Sequence, residues 1–197
     1  MSLSTSPSEG PGGRRLLAPR LDRAAAERAF SRPRWFARLL GRRPRRGRLE
    51  LIYLPVVRVD ASVRDTTSGE TRRVSLAVDA VGGAVNRLDR DVDSGVAGEP
   101  AAGELFAARV STEQALDRVR EELPWLLLGV ALKANRGLSV ERLDVVDRVG
   151  YPYWVQHVRH GGTRDVEVID ALSGQRAGAR GKATVVEAFL GSRAARG

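Results

Sequence analysis

Two aspartates occupy equivalent places in two similar segments, and they are the strongest candidates for acid–base chemistry. Asp79 lies in TRRVSLAVDAVGG (71–83) and Asp170 in TRDVEVIDALSG (163–174). Two carboxylates that share a cleft can act as acid and base, as in a hydrolase or a metal-dependent enzyme. An aspartate between a strand and a glycine turn also accepts hydrogen bonds from backbone amides two residues further on, and we expect this turn role for both.

The two histidines, His157 and His160, are the remaining candidates for metal or base chemistry. Residues three apart in a strand point to opposite faces, so the two imidazoles cannot bind one metal ion together. The chain has no cysteine, and neither histidine belongs to an H-E-x-x-H pattern. We therefore predict two partly exposed histidines and no metal site.

Motifs of the common enzyme classes are absent from the sequence. It contains no G-x-x-x-x-G-K-[ST] phosphate loop, no G-x-G-x-x-G dinucleotide fingerprint and no G-x-S-x-G nucleophile elbow. These absences predict a protein that is not an enzyme and that needs no cofactor.

Positive charge is concentrated at the N-terminus. The net charge is +9, and residues 1–48 hold 13 arginines against three acidic residues, a net charge of +10. A basic arm on a nearly neutral body is typical of proteins that bind nucleic acid or an anionic membrane surface. Because arginine supplies 31 of the 33 basic residues, a codon bias that favours arginine at exposed positions is the alternative explanation.

The basic arm has an amphipathic part and a polybasic part. A short helix with the apolar residues Trp35, Phe36, Leu39 and Leu40 on one side is followed by RRPRRGR (42–48), which is interpreted as a linker. This pattern suits a membrane interface, and it also suits packing of the apolar side on the chain's own sheet. The arginines predicted to bind the anionic partner are Arg34, Arg38, Arg42, Arg43, Arg45, Arg46 and Arg48.

A second candidate interaction surface is aromatic. Tyr151 and Tyr153 share one face of a predicted strand, and Trp154 lies on the other. Exposed aromatic rings on a sheet can stack on bases, whereas buried rings fill a core. Core packing is the preferred interpretation for these rings, and base stacking is the alternative.

The hydrophobic pattern predicts two β-hairpins. The first joins 49–63 to 71–80 through the turn at 65–70. The second joins 151–160 to 163–171 through Gly161-Gly162, after a separate strand at 141–149.

Helices are predicted before each hairpin and at the end of the chain. The first begins at Pro19, and the second follows a capping box at Ser111 and Gln114. Pro124 is expected to kink or end the second helix. Residues 125–135 are expected to form a buried helical turn or two, closed at Gly137. The last helix, 181–192, is predicted to turn Val185, Val186 and Phe189 inward.

These elements predict an α+β fold. It consists of two related units, each a helix plus an antiparallel β-hairpin, packed into one compact body. The predicted segments are a disordered leader (1–18), a basic helical arm (19–48), the sheet part of the first unit (49–104) and the second unit (105–197).

The second unit also resembles a PepSY-type domain over residues 112–176. The resemblance lies in the aromatic-Pro-aromatic stretch 151–153 and in the V-x-V-x-D-A-x-x-G pattern of 166–174; the first half carries a similar pattern. The resemblance to PepSY-type domains implies a small, non-catalytic binding or regulatory module. Such domains are commonly found outside the cytoplasm or beside membrane anchors. The start MSLSTSPSEGPGG has no apolar stretch, so we expect a cytoplasmic protein.

The function predicted from the sequence is a non-enzymatic binding or scaffolding module whose arginine-rich arm contacts an anionic protein, nucleic acid or membrane surface. Two alternatives stay open. One is a nucleic-acid-binding accessory protein, and the other is a hydrolase or metal-dependent enzyme that uses Asp79 and Asp170.

Overall fold

In the computed structural model, residues 15–31, 45–88, 101–134, 137–160 and 162–194 are described. This part of the chain contains seven strands and three helices. In chain order they are β1 (Arg15–Leu16), α1 (Arg23–Ser31), β2 (Arg45–Asp65), β3 (Thr71–Asp79), β4 (Val85–Arg87), β5 (Glu104–Leu105), α2 (Thr112–Ala134), β6 (Leu138–His160), β7 (Thr163–Asp170) and α3 (Ala179–Ala194).

Two long antiparallel strands, β2 and β6, form the centre of the sheet. Their pairing extends from Arg45 opposite Arg159 to Asp65 opposite Leu138, with three local register shifts. The strands predicted separately at 141–149 and 151–160 are therefore one strand. Residues 45–48, predicted as a linker, likewise belong to β2, and Arg45 and Arg46 pair with Arg159 and Val158 of β6.

Both predicted hairpins are confirmed. Strand β3 pairs with the second half of β2, and β7 pairs with the second half of β6. The short strands β5 and β1 pair in parallel with β2 and β6 respectively, beyond the ends of β3 and β7. Strand β4 pairs with β3, so all seven strands belong to one sheet.

The first two helices pack on one face of this sheet. Helix α1 covers the second hairpin, and α2 covers the first. In α1, Ala26 and Phe30 pack with Trp154 and Ile169 of the second hairpin. In α2, Ala115, Val119 and Leu123 pack with residues of β2 and β3 in the first hairpin.

The predicted fold of two helix–hairpin units is therefore wrong. The pairing of β2 with β6 joins the hairpins into one sheet, and each helix covers the hairpin of the other half. An apolar sheet face needs a covering layer, and here that layer comes from elsewhere in the chain. The predicted boundary between the units falls inside β5.

Helix α3 covers the opposite face of the sheet. Its Val185 and Ala188 pack with Ile52 and Val155. The neighbouring strand residues Leu51, Tyr53 and Trp154 pack with α1, and successive strand residues point to opposite faces. The predicted inward positions of Val185 and Phe189 are confirmed. Val186 is 37% exposed, so its prediction is wrong, because successive helix residues point about 100° apart.

The ends of several elements differ from the predictions. Helix α1 begins after Asp22, whose carboxylate accepts a hydrogen bond from the backbone N–H of Ala25 at 2.6 Å. Leu17 and Ala18 of the predicted leader are buried, and Leu17 donates a backbone hydrogen bond to Gly150. The leader before Arg15 lies outside the described residues.

Helix α2 continues through Pro124 to Ala134 instead of ending at the proline. The capping box is confirmed, because Ser111 and Gln114 exchange hydrogen bonds of 2.9 and 3.1 Å. The predicted burial of the segment after Pro124 is wrong, since Trp125 is 75% exposed and Leu132 is 72% exposed. Among the described side chains of α2, Leu123 is the last that is fully buried.

Candidate anion-binding site

The predicted arginine-rich arm is only partly described. Arg34, Arg38, Arg42 and Arg43, together with the predicted amphipathic helix around Trp35, lie outside the described residues. Arg45, Arg46 and Arg48 lie at the start of β2, and all three are exposed.

Arg46 and Arg48 have partners within the chain. The guanidinium of Arg46 donates to the carbonyl of Phe30 at 2.8 Å and to the hydroxyl of Ser31 at 2.9 Å. Arg46 therefore supplies a hydrogen-bond donor and a positive charge at the C-terminal end of α1, where both are favourable. Arg48 is paired with Glu50 at 3.1 Å. These two arginines contribute to the structure of this end of the sheet.

Arg45 belongs to a row of three arginines across three neighbouring strands, which we call the arginine row. In the sheet register, Arg45 of β2 lies opposite Arg159 of β6, and Arg159 lies opposite Arg164 of β7. Residues directly opposite in antiparallel strands project from the same face, and neighbouring strands are about 4.8 Å apart. The three exposed side chains therefore present positive charge on one face of the sheet end.

The acidic side chains closest in sequence to this row bind other partners. Glu50 accepts from Arg48 and lies 2.5 Å from Nε2 of His157. Asp165 is paired with Lys182 of α3 at 2.6 Å. Within the described residues, no ion pair involves any of the three arginines of the row. Like charges placed directly opposite destabilise a sheet, so an external anion would relieve this repulsion.

Sequence reasoning identified Arg45 but not Arg159 or Arg164. A two-residue turn, as predicted at Gly161-Gly162, pairs residue 160 with 163 and residue 159 with 164. Strands β6 and β7 have this register, so the pairing of Arg159 with Arg164 could have been inferred from the sequence. The pairing of Arg45 with Arg159 joins residues more than a hundred positions apart. No local signal in the sequence reports it.

Asp79 and Asp170 take the predicted turn role. The carboxylate of Asp79 accepts from the backbone N–H groups of Val81 and Gly82 at 2.9 and 3.0 Å. The carboxylate of Asp170 accepts from Leu172 and Ser173 at 2.8 and 3.2 Å. Each turn ends at a glycine in the left-handed region, Gly83 or Gly174. Both carboxylates act as acceptors for backbone amides, which is a structural use of the two groups.

Tyr151 and Tyr153 lie on the face that α3 covers. The hydroxyl of Tyr151 donates to Oδ2 of Asp170 at 2.9 Å, and the two tyrosine rings are 5.1 Å apart. Burial, followed by the negative charge of Asp170, raises the pKa of both hydroxyls well above the usual value. Asp79 contributes further to the raised pKa of Tyr153, so both aspartates act electrostatically on this tyrosine.

Trp154 lies on the other face, in the core beneath α1. It is 6% exposed, and its indole N–H donates to the carbonyl of Leu21 at 2.8 Å. Tyr151 is similarly buried at 7%. Tyr151 and Trp154 therefore fill the core and do not form an exposed surface for stacking on bases.

His157 is half-buried beside Glu50 and also contacts the ring of Phe189 at 5.6 Å. The side chain of His160 lies outside the described part of the structure. Among the described residues, no group of three or more His, Cys, Asp and Glu side chains is arranged to hold a metal ion.

No protein-family model matches this sequence, and no curated protein or solved structure is significantly similar to it. The resemblance of residues 112–176 to PepSY-type domains therefore stays a prediction. None of the helices in the described ranges is long and apolar enough to cross a membrane.

Proposed function

We propose that this protein is a non-catalytic module that binds a phosphate-bearing polyanion by charge at the arginine row. The observation that carries the proposal is the alignment of Arg45, Arg159 and Arg164 on three adjacent strands, without an ion pair to any described residue. Arginine binds phosphate through a planar fork of donors, and this suits an exposed cluster of guanidinium groups.

The sequence adds positive charge next to this row. Arg42 and Arg43 precede Arg45 in the chain, separated from it by Pro44 alone. Covalent connection limits the distance of these residues from the start of β2 to a few residues' length of chain. A polyanion that contacts the row can therefore also contact the preceding arginines.

The mode of binding in this proposal is contact with the anionic backbone, without recognition of bases. Two aromatic side chains of the predicted stacking surface, Tyr151 and Trp154, are buried on the two faces of the sheet. Asp79 and Asp170, the aspartates of the enzyme alternative, accept hydrogen bonds from backbone amides of their own turns, which favours a non-catalytic role. Binding to the phosphate backbone of a polyanion depends strongly on salt concentration.

The experiment compares the full chain with two triple variants of equal net charge. The first, Arg45→Gln with Arg159→Gln and Arg164→Gln, removes the row. The matched control, Arg64→Gln with Arg73→Gln and Arg142→Gln, removes three arginines that are each paired with an acidic residue elsewhere in the sheet. Binding to duplex DNA, to single-stranded RNA and to vesicles of anionic phospholipid is measured at several salt concentrations.

We expect the row variant to bind at least tenfold more weakly than the full chain. We also expect the slope of log affinity against log salt to become shallower by about 2 to 3 for duplex DNA, since each lost contact contributes about 0.9. The control should change affinity much less. Binding to nucleic acid or to vesicles identifies the source of the phosphate. Equal losses in both variants, or no binding by the full chain, would contradict the proposal.

A further inference from the structure

We propose that the second half of helix α2 is the contact surface of a homodimer of this chain. Four large apolar side chains here are exposed: Trp125 at 75%, Leu126 at 44%, Leu128 at 43% and Leu132 at 72%. We call these four residues the apolar end of α2. They lie far in sequence from the arginine row, so this inference and the proposed function can fail independently.

The composition of this part of the helix differs from that of a solvent-facing surface. The first half of α2 carries the exposed charged residues Arg118, Arg120 and Glu121, as a surface helix normally does. From Leu123 to Leu132 there is no charged residue. A helix segment that is apolar on all sides is typical of buried helices, yet here only one side packs on the sheet.

Three of these exposed residues, together with Gly129, form a seam of the kind that packs against another helix. Trp125, Leu128, Gly129 and Leu132 follow the spacing i, i+3, i+4, i+7, which places them along one side of a helix. A Cβ atom added at Gly129 would meet nothing within 4 Å, so the backbone is open to approach at the middle of the seam. A second helix could therefore come close at this point.

The seam is symmetric about its centre, and this favours a second copy of the same chain as the partner. Trp125 and Leu132 lie equally far from the midpoint between Leu128 and Gly129. In an antiparallel pair with two-fold symmetry, Trp125 of each copy would face Leu132 of the other, and the helices would cross near Gly129. A two-fold interface requires such self-complementarity, and it closes without further growth.

The exposed area is sufficient for a weak dimer. The exposed parts of these four side chains amount to about 500 Å² per molecule, given the usual size of such side chains. Two copies would therefore bury about 1,000 Å² in total, which is near the lower limit for a specific interface. We expect self-association in the micromolar range.

The test is analytical ultracentrifugation of the full chain from low micromolar to submillimolar concentration, compared with three variants. Leu132→Glu introduces charge at the end of the seam, and Gly129→Leu adds bulk at its centre, where the monomer has open space. Leu190→Glu, on α3, is the matched control, because Leu190 is an exposed leucine outside the seam. Circular dichroism checks that each variant is folded.

The antiparallel register has its own test, because the chain has no cysteine. Trp125→Cys and Leu132→Cys are prepared as separate variants, mixed in equal amounts and oxidised. We expect the mixed disulfide to exceed each variant's own disulfide dimer. A preference for the two like-with-like disulfides would overturn the antiparallel arrangement.

We expect a concentration-dependent dimer for the full chain and for Leu190→Glu, and at least tenfold weaker association for the two seam variants. A monomer at every concentration would overturn the proposal, as would a dimer that Leu132→Glu and Gly129→Leu leave unchanged. A monomeric chain that binds neutral lipid vesicles through the same residues would also overturn it, in favour of a membrane partner.

Discussion

The phenolic hydroxyl of Tyr151 donates a hydrogen bond of 2.9 Å to Oδ2 of Asp170, the aspartate whose Oδ1 accepts from two amides in the turn after β7. One carboxylate therefore joins the centre of β6 to the end of the neighbouring strand. Tyr151 is buried, so this bond is shielded from water. The contact lies where β7 ends beside β6, and it fixes the turn to the sheet.

Tyr151→Phe should lower the free energy of unfolding by about 1 to 2 kcal/mol, because a shielded hydrogen bond to a charged acceptor is lost. Tyr153→Phe is the matched control on the same strand, since the Tyr153 hydroxyl makes no hydrogen bond to any described residue. It should cost less than about 0.5 kcal/mol. Urea denaturation followed by circular dichroism measures both, and equal costs would contradict the assignment.

The stability of the protein should fall at alkaline pH because of its tyrosines. The chain has three, Tyr53, Tyr151 and Tyr153, and burial raises the pKa of each above the usual 10.0. Above pH 10 the unfolded chain loses protons that the folded chain retains, so the unfolding free energy decreases as the pH rises. The decrease is up to about 1.4 kcal/mol per pH unit for each tyrosine.

Tyrosinate absorbance and circular dichroism, recorded in the same alkaline titration, test this expectation. Absorbance should rise only as the fold is lost, and the tyrosine contribution to stability should not change with pH below 10. Replacing the three tyrosines with phenylalanine should make the stability curve flatter above pH 10. A titration of tyrosines near pH 10 in protein that stays folded would show that their hydroxyls are accessible.

The same substitution at two glycines should have opposite effects on stability. Gly69 has a φ of 73° and nothing within 4 Å of an added Cβ, so Gly69→Ala should destabilise by about 1 kcal/mol through backbone strain alone. Gly129 lies in a helix with equally open surroundings, so Gly129→Ala should stabilise the monomer by about 0.5 to 1 kcal/mol. Thermal denaturation at low protein concentration compares the two, and changes of the same sign would count against this explanation.

A shielded ion pair on the central strands should contribute more than an exposed one. The guanidinium of Arg58 in β2 is 3.3 Å from Asp147 in β6, and the Arg58 side chain is only 8% exposed. Asp147→Ala should cost about 1 to 3 kcal/mol, because it removes a partner of a buried charge. Asp144→Ala, which breaks an exposed pair with Arg142 on the same strand, should cost less than about 0.5 kcal/mol. Denaturant titration distinguishes the two variants, and a larger loss at Asp144 would refute the argument.

Several features encoded by local sequence were predicted correctly. The alternation of apolar residues and the turn residues between them identified both hairpins, and the Ser111–Gln114 pattern identified the start of α2. The turn role of Asp79 and Asp170 also follows from a few neighbouring residues. Such features depend on interactions within a few positions of the chain, so their signals survive in a single sequence.

The tertiary structure decided which segments meet. The pairing of β2 with β6 merges the two hairpins into one sheet. Helix α1 covers the second hairpin, and helix α2 covers the first. The arginine row exists only because the pairing of β2 with β6 brings Arg45 to Arg159. Trp125 is exposed because it lies on the side of α2 that does not pack on the sheet. Contacts between distant segments arise from competition among many apolar surfaces for the same core, so periodicity alone establishes that a strand has a buried face without identifying what covers it.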